Sequence, residues 1–282
     1  MKKKIKRHRK IMMFFVVVIV LALYILNKWS LYNQFDTSDP EISFGQDVLK
    51  VSVKSTEKDL LKDVTATDQK DGDVTDSIMI ESISNLLEGN QRIVTYVAFD
   101  KDKHVGKAER RIQYTDYKPI RFTLDEPLGN VDSDASVSEI LQPLHAVDCI
   151  DGDISDQIIL VEAYWKSDSM GDSVTNYKVQ VTNSCGEIQE LDLSFKMKSE
   201  RSGSQAIQIS LSDYLIYCKA GSSVDLNSYI ESVEYRGEDF GVENVTVSTD
   251  LDTSKPGSYV ATFKASGEDI QGTCDLIIVV EK

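Results

Sequence analysis

Two stretches of this chain concentrate carboxylates closely enough to bind a cation or share a proton. They read DQKDGDVTDSI from Asp68 to Ile78 and DCIDGDISDQI from Asp148 to Ile158. Each places four aspartates within nine residues around a glycine: Asp68, Asp71, Asp73 and Asp76 in the first, and Asp148, Asp151, Asp153 and Asp156 in the second. Such a set offers hard oxygen ligands of the kind that hold Ca2+. The spacing does not match an EF-hand loop, which needs acids at alternate positions and at the twelfth. A plainer role competes with metal binding. Aspartates beside a glycine also cap turns between strands by accepting backbone N–H bonds.

Catalysis finds little support in the residue types. The three histidines, His8, His104 and His145, are scattered, and no His-Glu-x-x-His, nucleophile elbow or phosphate loop is present. Asp-Gly-Asp supplies paired carboxylates of the sort used in glycoside hydrolysis. A narrow loop between strands, however, offers no evident cleft. The expectation is a protein without enzymatic activity and without a required cofactor.

The aspartate stretches need elements to position them, and the chain supplies those elements in repeats. Leu61, Val64 and Ala66 stand in step with Leu141, Leu144 and Ala146, so the two stretches belong to tandem copies of one unit. Around them the pattern is that of strands. Ile78, Ile80 and Ile83 alternate, and RIVTYVAFD from Arg92 to Asp100 is rich in β-branched and aromatic residues. Ala108, Arg110, Ile112 and Tyr114 close the first copy. The second copy follows with Ile120, Phe122 and Leu124, then Ile159 to Trp165, then Tyr177, Val179 and Val181, and finally Leu191, Leu193 and Phe195. A third set runs from Ile207, Ile209 and Leu211 through YLIYCKAG and TSKPGSYVATFKA to CDLIIVV. There the acidic signature is reduced to Glu234, Gly237, Glu238 and Asp239. About seven short strands per copy, with no convincing helix, predict an all-β protein of three tandem sandwiches.

The chain begins differently. Seven Lys and Arg fall in its first ten residues, and Ile11 to Leu26 carries no charge. Extended through Trp29 and Tyr32, this run reaches the length of a membrane-spanning helix, with aromatic anchors at one interface. No small-x-small cleavage pattern follows, so the expectation is an uncleaved signal anchor over 11–32, with residues 1–10 cytoplasmic and the remainder extracellular. The whole chain of 282 residues carries a net charge of −15. Setting aside the seven early bases and Lys28 leaves 23 Lys and Arg against 46 acids, about −23 for the body. A surface so acidic repels nucleic acid, which leaves the membrane, through 11–32, and a surface protein or glycan as expected partners.

The order D-x-x-D-G-D-V-T, then V-T-Y-V-A-x-D, a turn and a closing strand resembles the bacterial surface Ig-like domains found in tandem on Gram-positive cell-surface proteins. One departure stands out. The Gly-Asn usual after the aspartate of the sixth strand is replaced by Lys101-Asp102-Lys103-His104. The resemblance implies Ig-like sandwiches over 41–116, 117–199 and 205–282, joined to the anchor by a linker over 33–40 and separated late in the chain by a hinge over 200–204. It implies a surface setting and no particular activity. In an Ig-like order, Cys149 and Cys185 fall in loops at one end of the second sandwich, and Cys218 and Cys274 both belong to the third. Two cysteines in each of two extracytoplasmic domains lead to the expectation of intradomain disulfides.

Tyr164 and Trp165 are the remaining candidates for binding. Trp165 is the one tryptophan beyond the anchor region, suited either to a core edge or to stacking on a sugar or partner. Three roles remain open at this point. The first is a spacer, adhesion or protein-binding scaffold. The second is an accessory subunit of a membrane-bound cell-wall or polysaccharide assembly, recruited through its helix. The third is a calcium-stiffened adhesin.

Overall fold

A computed structural model describes residues 2–32, 37–128, 135–167, 173–196, 207–268 and 270–282. The expected hinge over 200–204 lies outside these residues, as does part of the linker over 33–40. Beyond one long helix the chain is almost entirely strands, as the alternating pattern predicts. Two compact units emerge. One holds Met1–Val51, Ser55–Ser84 and Gln91–Gln113; the other holds Ser52–Lys54, Asn85–Asn90 and Tyr114–Lys282.

In the first unit, helix α1 (Lys2–Tyr32) contains a 19-residue apolar span, Met12–Ser30. At 1.5 Å per residue that span is about 28 Å long, enough to cross the hydrocarbon layer of a membrane. The sandwich of this unit contains β1 (Glu41–Phe44), β2 (Val48–Val51), the one-turn helix α2 (Glu57–Leu60), β3 (Val64–Asp68), β4 (Gly72–Asp73), β5 (Met79–Ile83), β6 (Gln91–Phe99) and β7 (Val105–Tyr114). One sheet has the order β1-β3-β4 and the other β2-β7-β6-β5. Val94, Tyr96, Ala98 and Ile112 point inward from β6 and β7 to meet Val64 and Ala66 from β3, all buried. Gly106 is required where it stands, because a Cβ there would lie 1.8 Å from the carbonyl oxygen of Pro40.

The second unit repeats the plan. Its first half contains β8 (Arg121–Leu124), α3 (Val137–Ile140), β9 (Leu144–Asp148), β10 (Gly152–Asp153), β11 (Ile159–Ser167), β12 (Ser173–Thr182) and β13 (Ile188–Phe195), in sheets ordered β10-β9-β8 and β11-β12-β13. Its second half contains β14 (Gln208–Leu211), β15 (Leu215–Lys219), β16 (Ile230–Tyr235), β17 (Glu238–Asp239), β18 (Val245–Thr249), β19 (Gly257–Ser266) and β20 (Gln271–Glu281), in sheets ordered β14-β16-β17 and β15-β20-β19-β18. Strand β15 runs parallel to β20.

The two halves of this unit share a core. Leu215 and Ile277 join the cluster built on Phe122, Tyr177, Leu193 and Phe195. Polar contacts seal the seam. The Tyr217 hydroxyl accepts from Phe122 N at 2.9 Å, and Arg121 pairs with Glu281 while its guanidinium lies 4.2 Å from the Tyr217 ring centre.

Besides four short 3-10 turns, two one-turn α-helices among the described residues depart from the all-strand expectation, and the sequence carries a signal for each of the two. Helices α2 and α3 are single turns placed before β3 and β9. At α3 the Ser136 backbone N–H donates to Glu139 at 2.8 Å while Glu139 N donates back to the Ser136 hydroxyl at 3.4 Å. That Ser-x-x-Glu box satisfies N–H groups with no partner inside the helix. At α2 the Asp59 carboxylate accepts both the N–H and the hydroxyl of Thr56.

Candidate functional site

The aspartate stretches fold into the same tight hairpin twice. In the first, Asp68 pairs with Gly72 and Thr67 with Asp73; in the second, Asp148 pairs with Gly152 and Val147 with Asp153. Both glycines take left-handed φ values, 76° and 79°, which a side chain would disfavour. The first aspartate of each stretch caps the turn. Asp68 Oδ1 accepts the N–H groups of Lys70 and Asp71, and Asp148 Oδ1 those of Ile150 and Asp151, all at 2.8 Å. The third aspartate of each, Asp73 or Asp153, accepts the N–H of Thr75 or Ser155 at 3.0 Å. Those hydroxyls in turn accept from Ala66 N and Ala146 N.

The second aspartate of each stretch reaches across to the turn that follows the long central strand. Asp71 accepts Lys101 N at 2.8 Å and pairs with Lys101 Nζ at 3.2 Å. Asp151 accepts both the N–H and the hydroxyl of Ser184 at 2.6 Å. Asp76 and Asp156, the fourth members, are exposed and stand apart. The third copy builds the equivalent hairpin by other means. Glu234 pairs with Asp239 across a two-residue Arg236-Gly237 turn in which both residues have positive φ. Turn formation therefore accounts for six of the eight aspartates.

What the sequence did not reveal is Asp100. It is buried at the end of β6, and its carboxylate lies with those of Asp68 and Asp71, with one oxygen from each inside a sphere of contacts no wider than 4.8 Å. Asp100 also accepts His104 N at 2.7 Å and contacts His104 Nδ1 at 2.6 Å. The same position in the second copy is Asn183, whose amide donates to Asp148 Oδ2 at 3.1 Å. Thus the two copies answer one electrostatic problem differently. A register argument could have found Asp100, since it ends the VTYVAFD strand. Its meeting with Asp68 depends on the strands' spatial order.

Donors aimed at the charged carboxylates hold several of them below their ordinary range. The Lys101 backbone N–H does this for Asp71, the Thr75 and Ser155 side chains for Asp73 and Asp153, and the Lys255 side chain for Asp252, which is lowered to about 2. A carboxylate depressed in the folded state stabilises it fully above the unfolded value, 3.8 for these aspartates. That contribution disappears as pH falls through the folded values. Stability is therefore expected to hold above about pH 5 and to decline steadily toward pH 2. Thermal melts across that range check this, and an unchanged melting temperature down to pH 2.5 would contradict it.

The four cysteines are thiols in this structure, which departs from the expected disulfides. For Cys218 and Cys274 the register explains why. Cys218 sits opposite Val280 on β20, and Cys274 is six positions earlier on that same strand. At about 3.3 Å per residue the two lie roughly 20 Å apart along the sheet, far beyond disulfide reach. Cys149 and Cys185 do occupy neighbouring loops, and each has another partner. Lys118 N donates to Cys149 Sγ at 3.4 Å, and Cys185 Sγ donates to Asn183 Oδ1 at 3.2 Å. Burial pushes the Cys274 thiol up to about 12. In native alkylation at pH 8 followed by mass spectrometry, Cys218 is expected to label well before Cys185 and Cys274, which are buried. Recovery of a Cys218–Cys274 bridged peptide would contradict the strand register.

One constellation resembles a catalytic triad. Asp125 Oδ2 lies 3.1 Å from His145 Nε2, and His145 Nδ1 lies 3.5 Å from Ser155 Oγ, beside an open groove of about 700 Å3 lined by Leu141, Leu144, Ile158 and Leu160. The Ser155 hydroxyl is already committed, donating to Asp153 at 2.5 Å and accepting from Ala146 N at 3.0 Å. Thr75 makes the equivalent Ala66 contact in the first copy, where Thr65 replaces the histidine. Ser155 thus completes a turn.

Tyr164 and Trp165 lie on β11, an edge strand. Trp165 is 75% exposed and Tyr164 is also exposed, so neither serves as core.

No protein-family model and no curated protein matches the chain in sequence. Solved structures resemble it at low identity. The CBM51-2 and INT domains of Clostridium perfringens ZmpB, in complex with GlcNAc, are 20% identical over 54% of this chain and 26% of that one, with a TM-score of 0.23. The protocadherin GammaB4 extracellular domain is 12% identical over 87% of this chain and 50% of that one, with a TM-score of 0.19. Human CDH23 EC21-23 is 13% identical over 86% of this chain and all of that one, with a TM-score of 0.23. The chain thus spans about a quarter of the ZmpB structure and half of the protocadherin. These neighbours are β-sandwich domains.

Proposed function

We infer that this chain is a surface scaffold: a membrane-anchored array of bacterial Ig-like sandwiches that presents a binding surface outside the cytoplasm and carries no reaction of its own. The observation that supports this reading is the Met12–Ser30 span of α1, uncharged from Met12 to Leu26 and exposed along its length, in a chain whose other described residues are mostly strands with buried sandwich cores. The basic residues before it would keep the N-terminus inside, by the positive-inside rule. The acidic body would disfavour nucleic acid and leave a surface protein or a glycan as partner. The test is protease treatment of intact cells expressing the full chain, with alkaline extraction of their membranes. Digestion of the sandwiches together with retention of the anchor supports the reading. Sandwiches protected until the cells are lysed would sink it. Replacing 11–32 by an unrelated span separates a scaffold, which keeps its partner, from an accessory subunit recruited through its helix.

A second reading, stiffening by Ca2+, is favoured by the convergence of Asp68, Asp71 and Asp100. Asp73 and Asp76 would take no part. If it holds, millimolar Ca2+ raises the melting temperature of the first unit by several degrees, and Asp100→Asn abolishes the rise. Equal melting in Ca2+ and in chelator would leave the aspartates as turn-formers only.

A further inference from the structure

We propose that β11 is a self-association edge, pairing antiparallel with β11 of a second copy of this chain about a two-fold axis at Tyr164. Strand β11 has β12 on one side and, among the described residues, no strand on the other. It runs nine residues, where its counterpart β5 runs five, and Val161 to Lys166 are all exposed. A long, exposed edge carrying apolar side chains is a template for strand addition.

The pattern of side chains selects the partner and the register. Opposite residues in an antiparallel pair share a face. Glu162 and Tyr164 stand opposite Lys178 and Asn176 on β12, on the outer face, and Lys166 follows in the same alternation. Ala163 and Trp165 stand opposite Tyr177 and Thr175, on the inner face. With Tyr164 opposite Tyr164 of the second copy, each Glu162 meets a Lys166, giving two opposite-charge pairs around a tyrosine pair. On the other face each Trp165 meets an Ala163, a large side chain over a small one. Moving the axis to Ala163 sets Glu162 against Tyr164 and Lys166 against Leu160. Moving it to Glu162 sets that carboxylate against itself, which like-charge repulsion disfavours. A two-fold interface of this kind is closed, so it yields a dimer and not a fibre.

The test uses the full chain in detergent micelles, measured by light scattering after size exclusion. A dimer is expected at tens of micromolar, and either Glu162→Lys or Lys166→Glu alone weakens it at least tenfold. The double charge swap restores it, and an equimolar mixture of the two single variants forms a heterodimer. Rescue of this kind distinguishes strand pairing from association through α1, which the swaps do not touch. As a second measurement, Tyr164→Cys in a Cys149→Ser, Cys218→Ser background is expected to cross-link on mild oxidation, while Ile159→Cys does not. A folded monomer at these concentrations, or a dimer indifferent to both single swaps, overturns the proposal.

Discussion

Replacing Asp148 by Ala is expected to cost the second unit about 3 kcal/mol, whereas Asp68→Ala costs the first only about 1. The difference arises from what each carboxylate faces. Asp148 is 2% exposed and accepts three bonds, two from the turn N–H groups of Ile150 and Asp151 and one from the Asn183 amide. Asn183 is itself buried, with its Oδ1 taken by Glu187 N and the Cys185 thiol. Truncating Asp148 takes this acceptor from the buried Asn183 amide and from two part-buried turn N–H groups, and a buried donor left unmet costs about 1–3 kcal/mol. Asp68 accepts the same two turn bonds and a longer one from Ser38 at 3.3 Å, but it also faces the buried Asp100 carboxylate. Removing Asp68 relieves that repulsion and offsets part of the loss. Hydrogen exchange over 64–74 and 144–154 in the two variants measures each cost locally. Equal losses in both hairpins would mean that Asp100 does not repel Asp68, as when a cation or a proton lies between them.

Arg110→Leu is expected to stabilise the first unit, by about 1–3 kcal/mol. Arg110 lies on β7 opposite Val94, only 2% exposed. The corresponding core positions in the other copies, opposite the central-strand residue four before Val181 and four before Ala265 as Val94 is four before Ala98, are Leu193 opposite Tyr177 and Leu276 opposite Ala261, both fully buried. An arginine thus occupies a leucine layer. Its Nη1 donates to Lys62 O at 3.0 Å and its guanidinium lies 5.6 Å from the Phe44 ring centre, while Nε and Nη2 have no hydrogen-bond partner among the described residues. Burying a charge with two donors unmet costs more than one carbonyl and one aromatic face return. Leucine removes that cost and keeps most of the volume. Arg110→Ala is the control. It opens a cavity and is expected to destabilise by about 2 kcal/mol or more. Thermal unfolding of the three proteins side by side decides the matter, and an Arg110→Leu variant less stable than the parent would show that the Lys62 and Phe44 contacts outweigh desolvation.

These two sites also mark how far the sequence could be read. The strands were legible because period-two alternation is a local property: Arg92 to Asp100 appears as the strand Gln91–Phe99, and Leu191 to Phe195 lies within the strand Ile188–Phe195. The repeated hairpins were legible for the same reason, since Asp68 and Asp148 bond to groups two and three residues away. Even the short helices announced themselves in Ser136-x-x-Glu139, although the strand-rich context obscured them.

Longer-range facts were not available from spacing. Arg110 reads as one more alternating residue of a closing strand, and nothing local shows that its side of the strand is the dry one at that layer. The separation of Cys218 from Cys274 follows from the parallel register of β15 on β20, a pairing between residues some sixty positions apart. Asp100 joins Asp68 and Asp71 only because β6 ends beside the β3–β4 turn across the sandwich. The exposure of Trp165 follows from the place of β11 at a sheet edge, which its composition alone could not distinguish from a core strand. Strand class, repeat and turn chemistry can be read from the order of residues, because those depend on interactions within a few positions. Tertiary structure decided which carboxylates meet, which charge is buried and which edge is open, because strand order and register bring distant residues together.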